Sequence, residues 1–258
     1  MSPVFSVARN SFREAIRDRI LLSLVAFAVL LAGAALLFSQ MAFGDTASAV
    51  INFSLFAITL FGAVIAVFLG NQLVAKEIER RTLYTLLARP LSRRQFIFGK
   101  YFGLLAALAL NTALMLAALL VALAGLHSLW QPGESAVLIA GLNIFFALGL
   151  LTALSLLFSS FSSPVLAAAF SLVLFLIGNF ARDLHGLGET SHHAATRWLA
   201  LGIYYLLPNF SNFNLATSAS HFQPPPGQLL AWNAGYAAFY MLILLGLASL
   251  ILETRDLK

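Results

Sequence analysis

Cysteine does not occur in this 258-residue chain, which excludes disulfides, thiolate metal sites and cysteine nucleophiles. Charge is nearly as scarce. Asp, Glu, Lys and Arg make up 10% of the residues, 60% are hydrophobic, and the mean hydropathy is +0.90. So few charges could not cover a water-soluble domain, so lipid is the solvent for most of the chain. No G-x-x-x-x-G-K-[ST] stretch is present either. Gly99–Lys100 is the only Gly-Lys pair; Tyr101 follows it, and Arg94 stands where the upstream glycine belongs. The chain has no phosphate-cradling loop, so ATP chemistry would have to come from a separate polypeptide.

Charge-free stretches long enough to cross a bilayer run 20–38, 50–75, 101–125, 136–158, 164–181 and 229–252. They predict an all-α, polytopic membrane protein with six transmembrane helices in one domain, 1–258. None of these spans holds Asp, Glu, Lys, Arg or His, which excludes the proton relays of ion-coupled carriers and the bases of intramembrane enzymes. Neutral polar residues remain within or beside them. Asn71, Gln72, Asn111, Asn143 and Asn179 are candidates for a polar pathway, with interhelical hydrogen bonding as the plainer reading. Others of this kind are Asn52, Thr112, Thr152, Ser155 and Asn233.

Basic residues choose the orientation. With the N-terminus inside, thirteen of the fifteen Lys and Arg residues fall on the cytoplasmic side, and only Arg182 and Arg197 fall outside. Both termini are expected in the cytoplasm. A net charge of +5 thus orients the chain and gives no support to nucleic-acid binding.

The N-terminus does not read as a signal peptide: its basic leader is 19 residues long and carries Glu14 and Asp18. Ser2 and Pro3 suit a helix start. Phe5, Ala8, Phe12, Ala15 and Ile16 then form an apolar face, with Arg9, Arg13 and Arg17 striped along another. That pattern predicts an amphipathic interfacial helix over 1–19, lying on the cytoplasmic membrane surface. The segment 182–228 is expected outside. In it, 197–208 is too short before Pro208 to span, and suits a re-entrant or interfacial helix. The five histidines all fall in external loops, and none has diagnostic ligand spacing, so no metal is expected.

Residues 76–100 hold seven of the chain's basic residues. Glu77 and Arg81 are spaced i, i+4, and Leu83, Leu86 and Leu87 give an apolar face, which together predict a short helix over 77–87. Pro90 ends it at Arg89. Ser92 and Gln95 then match a capping box, with Leu91 and Phe96 placed as a hydrophobic staple, so a second helix begins there and enters the third span. Arg93 and Arg94 sit at that helix's positive end, where its dipole disfavours them and an acidic partner or anionic headgroups would relieve them.

This stretch, "KEIERRTLYTLLARPLSRRQFIFGKYFG", resembles the cytoplasmic segment between the second and third spans of ABC-2 type transporter permeases, most closely the NosY-like branch. The pattern is carried by Glu77 or Glu79, Thr82, Leu83, Leu86, Leu87, Pro90, Ser92, Arg93, Gly99 and Lys100. Many members have Gly where Arg81 stands here. "LPNFSNFN" (207–214) also looks like that branch.

The resemblance implies a permease subunit, more often an exporter, in a bacterial inner membrane. Two copies of this chain would dimerise to form the pathway and couple to two copies of an ABC ATPase subunit that bind the ATP and Mg. Glu77, Glu79, Arg80, Arg81, Thr82, Leu83, Leu86, Leu87, Pro90 and Arg93 would then form the ATPase-coupling segment. Membrane lipids are partners too, and the external segment leaves room for an extracytoplasmic accessory protein. The rival reading is a membrane scaffold that anchors a cytoplasmic ATPase and transmits force without a translocated small-molecule substrate.

Overall fold

The structure, a computed structural model, describes residues 3–18, 26, 33, 46–79, 92–126, 133, 135–191 and 193–254; the side chains of 3, 72–79, 93 and 254 lie outside that description. Among the described residues every regular element is helical. In order they are α1 (Pro3–Ile16), α2 (Thr46–Glu79), α3 (Arg93–Gly125), α4 (Ser135–Phe161), α5 (Pro164–Asn179), α6 (Ala181–Thr190), α7 (Ala194–Leu206), a 3-10 turn (Phe210–Phe213), α8 (Ala216–Ser220) and α9 (Gly227–Thr254).

Four of these helices, α2, α3, α4 and α9, are long and apolar enough to cross a membrane, and a bent pair, α5 with α6, makes up to five. The expected first span, 20–38, falls almost entirely outside the described residues. The fifth, 164–181, is divided: α5 ends at Asn179, and α6 turns away from it by 55°. The hinge is Phe180, at φ −90° and ψ 8°. No proline marks it. Just before it, Gly178 lets Phe210 and the Pro208 carbonyl press against the end of α5, and this tertiary contact was invisible to hydropathy.

α4 is the central helix, packed by α2, α3, α5 and α9. It has no polar face because it has no solvent side; Val137, Leu148, Leu150 and Leu151 are all fully buried. Since lipid tails are as apolar as leucine, helices in a membrane gain most from close van der Waals fit. Small residues supply that fit here: Leu148 packs onto Gly62 of α2, and Leu116 of α3 onto Gly141 of α4. Contacts of Gly62 with Leu148 and of Gly70 with Ser155 run in the same order along both chains, so α2 and α4 are parallel. Those of Gly141 with Leu116 and Gly149 with Leu105 run in opposite order, so α3 is antiparallel to α4.

The chain expected to leave the second span and begin a separate helix near Glu77 does not break there. α2 is one helix of 34 residues through Lys76, Glu77 and Glu79. Its apolar part ends at Asn71. At 1.5 Å per residue, the eight residues beyond it extend about 12 Å past the membrane-compatible part. The remainder of the expected coupling helix, with Arg80, Arg81, Thr82, Leu83, Leu86, Leu87 and Pro90, lies outside the described residues.

The 182–228 segment holds more structure than the single helix expected at 197–208. α6 and α7 form a short helical hairpin, in which Gly188 lies against Leu201. The 3-10 turn and α8 then cap the outer ends of α2 and α4. Ser48 donates to the Ser220 carbonyl (2.6 Å), and the Asn209 amide donates to the Tyr236 hydroxyl (2.8 Å). Gly133, at φ +101°, turns so close to Phe222 that a β-carbon would overlap its carbonyl oxygen.

Candidate functional site

The charged end of the bundle is assembled around the start of α3. Ser92 is its N-cap: the hydroxyl accepts from the Gln95 amide (3.3 Å), and the Gln95 side chain accepts from the Ser92 amide (3.2 Å). The capping box read from the sequence is therefore present. It restarts a helix that would otherwise begin with unsatisfied amides. Arg94, for which anionic headgroups or an acidic protein partner were expected, pairs instead within the chain. Its guanidinium pairs with Glu253 at the end of α9 (3.0 Å and 3.4 Å). That pair puts the C-terminal end of α9 beside the start of α3.

α1 lies across the same end, and its seat is cut by glycine. A β-carbon at Gly99 would come within 2.7 Å of Val7; one at Gly103 would overlap the Ala8 carbonyl oxygen and lie 2.6 Å from Ser11. Gly99-x-x-x-Gly103 thus lets α1 approach the backbone of α3 closely, with no side chain of α3 in the way at either glycine. The sequence predicted an apolar face lying on the membrane surface; in the structure part of α1 packs on α3 instead. Ser11 and Ala15 are fully buried and Val7 and Phe12 partly so, whereas Phe5 is 53% exposed. The face is set by the glycine notch, which favours the small Ser11 at the crossing. Arg9, Arg13 and Arg17 remain exposed as a stripe, as the spacing indicated.

Between these elements sits Lys100, at 1% exposure and with its ammonium 5.6 Å from the centre of the Phe96 ring, within cation–π range. From the sequence Lys100 was expected in this helix as one of the basic residues of 76–100 and as part of the family pattern, but not buried. The signal that could have found it is its place inside the helix, between the two glycines that seat α1.

Among the described residues the neutral polar side chains are spread over several separate contacts. Asn71 is buried and accepts from the Ser155 hydroxyl (3.1 Å), which links α2 to α4. Asn143 and Asn233 link α4 to α9 at 2.7 Å, and Asn233 also donates to the Asn212 carbonyl at 3.0 Å, tying in the segment before α9. Asn179 donates back to the Phe175 carbonyl, one turn earlier (2.8 Å). Asn111 is 2% exposed, and neither end of its amide has a hydrogen-bond partner among the described residues; nearby Thr112 and, on α2, Ser54 share that condition. The side chains of Gln72 and Arg93 lie outside the description.

At the end of the bundle away from Ser92 and Arg94, a recess of about 360 Å³ lies between α2, α4, α5 and the 3-10 turn, with Arg182 nearby bonded to the Ser211 carbonyl of that turn (3.5 Å). Buried Ile144, Ala147, Phe175 and Phe210 line its inner wall, and Asn52, Asn179 and Asn214 stand at its outer end. Among the described residues no group of three His, Asp or Glu side chains is placed to hold a metal ion.

A family model described as "ABC-2 family transporter protein" matches residues 5–257, nearly the whole chain. No curated protein matches it.

Proposed function

Because the chain belongs to the ABC-2 family of transporter membrane proteins, we propose that it is the permease subunit of an ATP-driven exporter, of the NosY-like branch. Two copies dimerise to form the pathway, and a separate ABC ATPase subunit supplies the power stroke. The observation that carries this reading is the family match over residues 5–257. The stroke enters through Glu77, Glu79 and the 80–91 segment. Support comes from α2, which runs unbroken from the core to Glu79, and from α3, which starts again at a firm cap after it. A force applied at Glu79 therefore acts on a rigid rod rather than on a loop. The chain itself hydrolyses no ATP, since it has no phosphate-cradling loop.

Variants Glu77→Ala and Glu79→Ala test the coupling role. Replacing exposed charges usually changes stability by less than about 0.5 kcal/mol. Truncating a charge buried at an interface costs about 2–5 kcal/mol of binding. The expected result is normal insertion and melting, with ATPase co-purification weakened or hydrolysis uncoupled from transport. Full complex formation and coupling in both single variants and in the double variant would remove the coupling role.

The proposed topology has six spans, both termini in the cytoplasm of a bacterial inner membrane, and 182–228 outside. The pairing of Arg94 with Glu253 supports it by placing the end of α9 beside the basic segment. Reporter fusions after Lys258 should read cytoplasmic, and insertions at Gly188 should read periplasmic. Either result reversed rejects that topology.

A further inference from the structure

The recess at the outer end of the bundle has the polarity of a lipid-like ligand. Its volume of about 360 Å³ lies within the usual range of small-molecule sites and is far more than one buried water occupies. Polar groups gather at one end only. Asn52 stands near the start of α2, Asn179 at the last residue of α5 and Asn214 just after the 3-10 turn, all at the outer end. Inward, the walls are Leu60, Ile144, Ala147 and Phe175. The inner Thr59 spends its donor on the Leu55 carbonyl of its own helix (2.8 Å), which leaves only its hydroxyl oxygen to accept.

The outer groups are neutral and partly uncommitted. Asn179 spends its amide N–H on the Phe175 carbonyl, which leaves its side-chain oxygen to accept. Asn214 spends its oxygen on the Ala216 amide, which leaves its NH2 to donate. No ionisable residue lines the recess. No side chain of the lining therefore offers a counter-charge to a charged head. The mouth lies between Phe56 of α2 and Phe180 at the end of α5, which are 63% and 60% exposed, so it opens on apolar surface. From Asn52 to Leu60 the recess runs about 12 Å along α2. That approaches the roughly 15 Å thickness of one hydrocarbon leaflet.

We propose that this recess binds a neutral amphiphile, a single hydrocarbon chain with an uncharged hydrogen-bonding head, held head-outward by Asn52, Asn179 and Asn214. The site belongs to the single chain and does not depend on ATPase coupling, so its test is separate from that of the permease reading.

The absence of cysteine and the neutrality of the site shape the experiment. Full-length chain in phosphatidylcholine nanodiscs is photolabelled with a monoacylglycerol carrying a diazirine in its chain. The expected result is saturable labelling that maps to α2 and α5 and is competed by unlabelled monooleoylglycerol. Oleate and phosphatidylglycerol should compete at least about tenfold less well. Asn52→Leu with Asn179→Leu, which removes two neutral hydrogen bonds, should raise the half-saturating concentration about tenfold. Ala147→Phe, which fills the inner end, should abolish labelling. Asn52 is exposed, so Asn52→Leu alone tests the head contact without endangering the fold. Labelling that never saturates, equal competition by oleate, or no response to the asparagine variants overturns the proposal. So does disulfide trapping of Phe56→Cys against a second copy, or against a cysteine placed in 20–38, since either would put protein over the mouth.

Discussion

Replacing Gly103 with leucine is expected to lift α1 off the bundle while leaving the spans in place. The β-carbon alone would overlap the Ala8 carbonyl, and a backbone atom cannot rotate aside as a side-chain tip can. Overpacking a tight contact costs about 1–3 kcal/mol and occasionally more. α1 is joined to the bundle chiefly through α3, so that cost falls on one seam. The readout is the accessibility of a single cysteine. Ser11 is fully buried at the crossing, and the chain has no native thiol, so Ser11→Cys reports without background. Maleimide should label it slowly with Gly103 in place and rapidly in Gly103→Leu. Gly246→Ala is the control: nothing lies within 4 Å of a β-carbon there, and helix propensity favours the change by up to about 1 kcal/mol. Slow labelling in Gly103→Leu would show that α1 is not seated on these glycines.

The second large effect is expected at Asn233. Asn233→Leu strips the donor from two acceptors at once, the side-chain oxygen of Asn143 and the backbone oxygen of Asn212. A buried acceptor left without a donor costs about 1–3 kcal/mol. The variant should therefore lose at least that much in a detergent melt followed by size-exclusion chromatography. Asn143→Leu should cost less, because Asn233 keeps its bond to Asn212. In the double variant the losses should fall short of their sum by about 0.6–1.7 kcal/mol, the range measured for hydrogen bonds between membrane helices. Strict additivity would mean that the 2.7 Å contact contributes nothing to stability.

Local signals in the sequence translated well wherever one stretch of chain decides its own geometry. Ser92 and Gln95 lie three residues apart and form the cap they spell; Pro164 opens α5 in its first turn, as its fixed backbone favours. The long apolar runs of α2, α3, α4 and α9 were legible for the same reason. What failed to show depends on contacts between distant residues. The bend at Phe180 follows from Phe210 packing on Gly178, and the partner of Asn143 stands 90 residues away. Phe5 fits an apolar helical face as well as Phe12 does, and only the glycine notch in α3 decides which one turns inward. The seven charges of 76–100 read as one unit, yet the structure divides them. Arg94 is paired at the surface, Lys100 is buried under α1, and Lys76 rides on the end of α2.

The crossing of α1 and α3 also has a mechanical meaning. With the carbonyl of Ala8 seated against Gly103, backbone meets backbone at that point, and the two helices have little room to slide past one another there. Ser11 and Phe12 meet Gly103 as well, and Ala15 is buried beyond them, so α1 lies along α3 as a splint, with Arg13 and Arg17 on its exposed face. A splint of this kind makes the two basic side chains and the start of α3 one mechanical unit, so neither is displaced without the other.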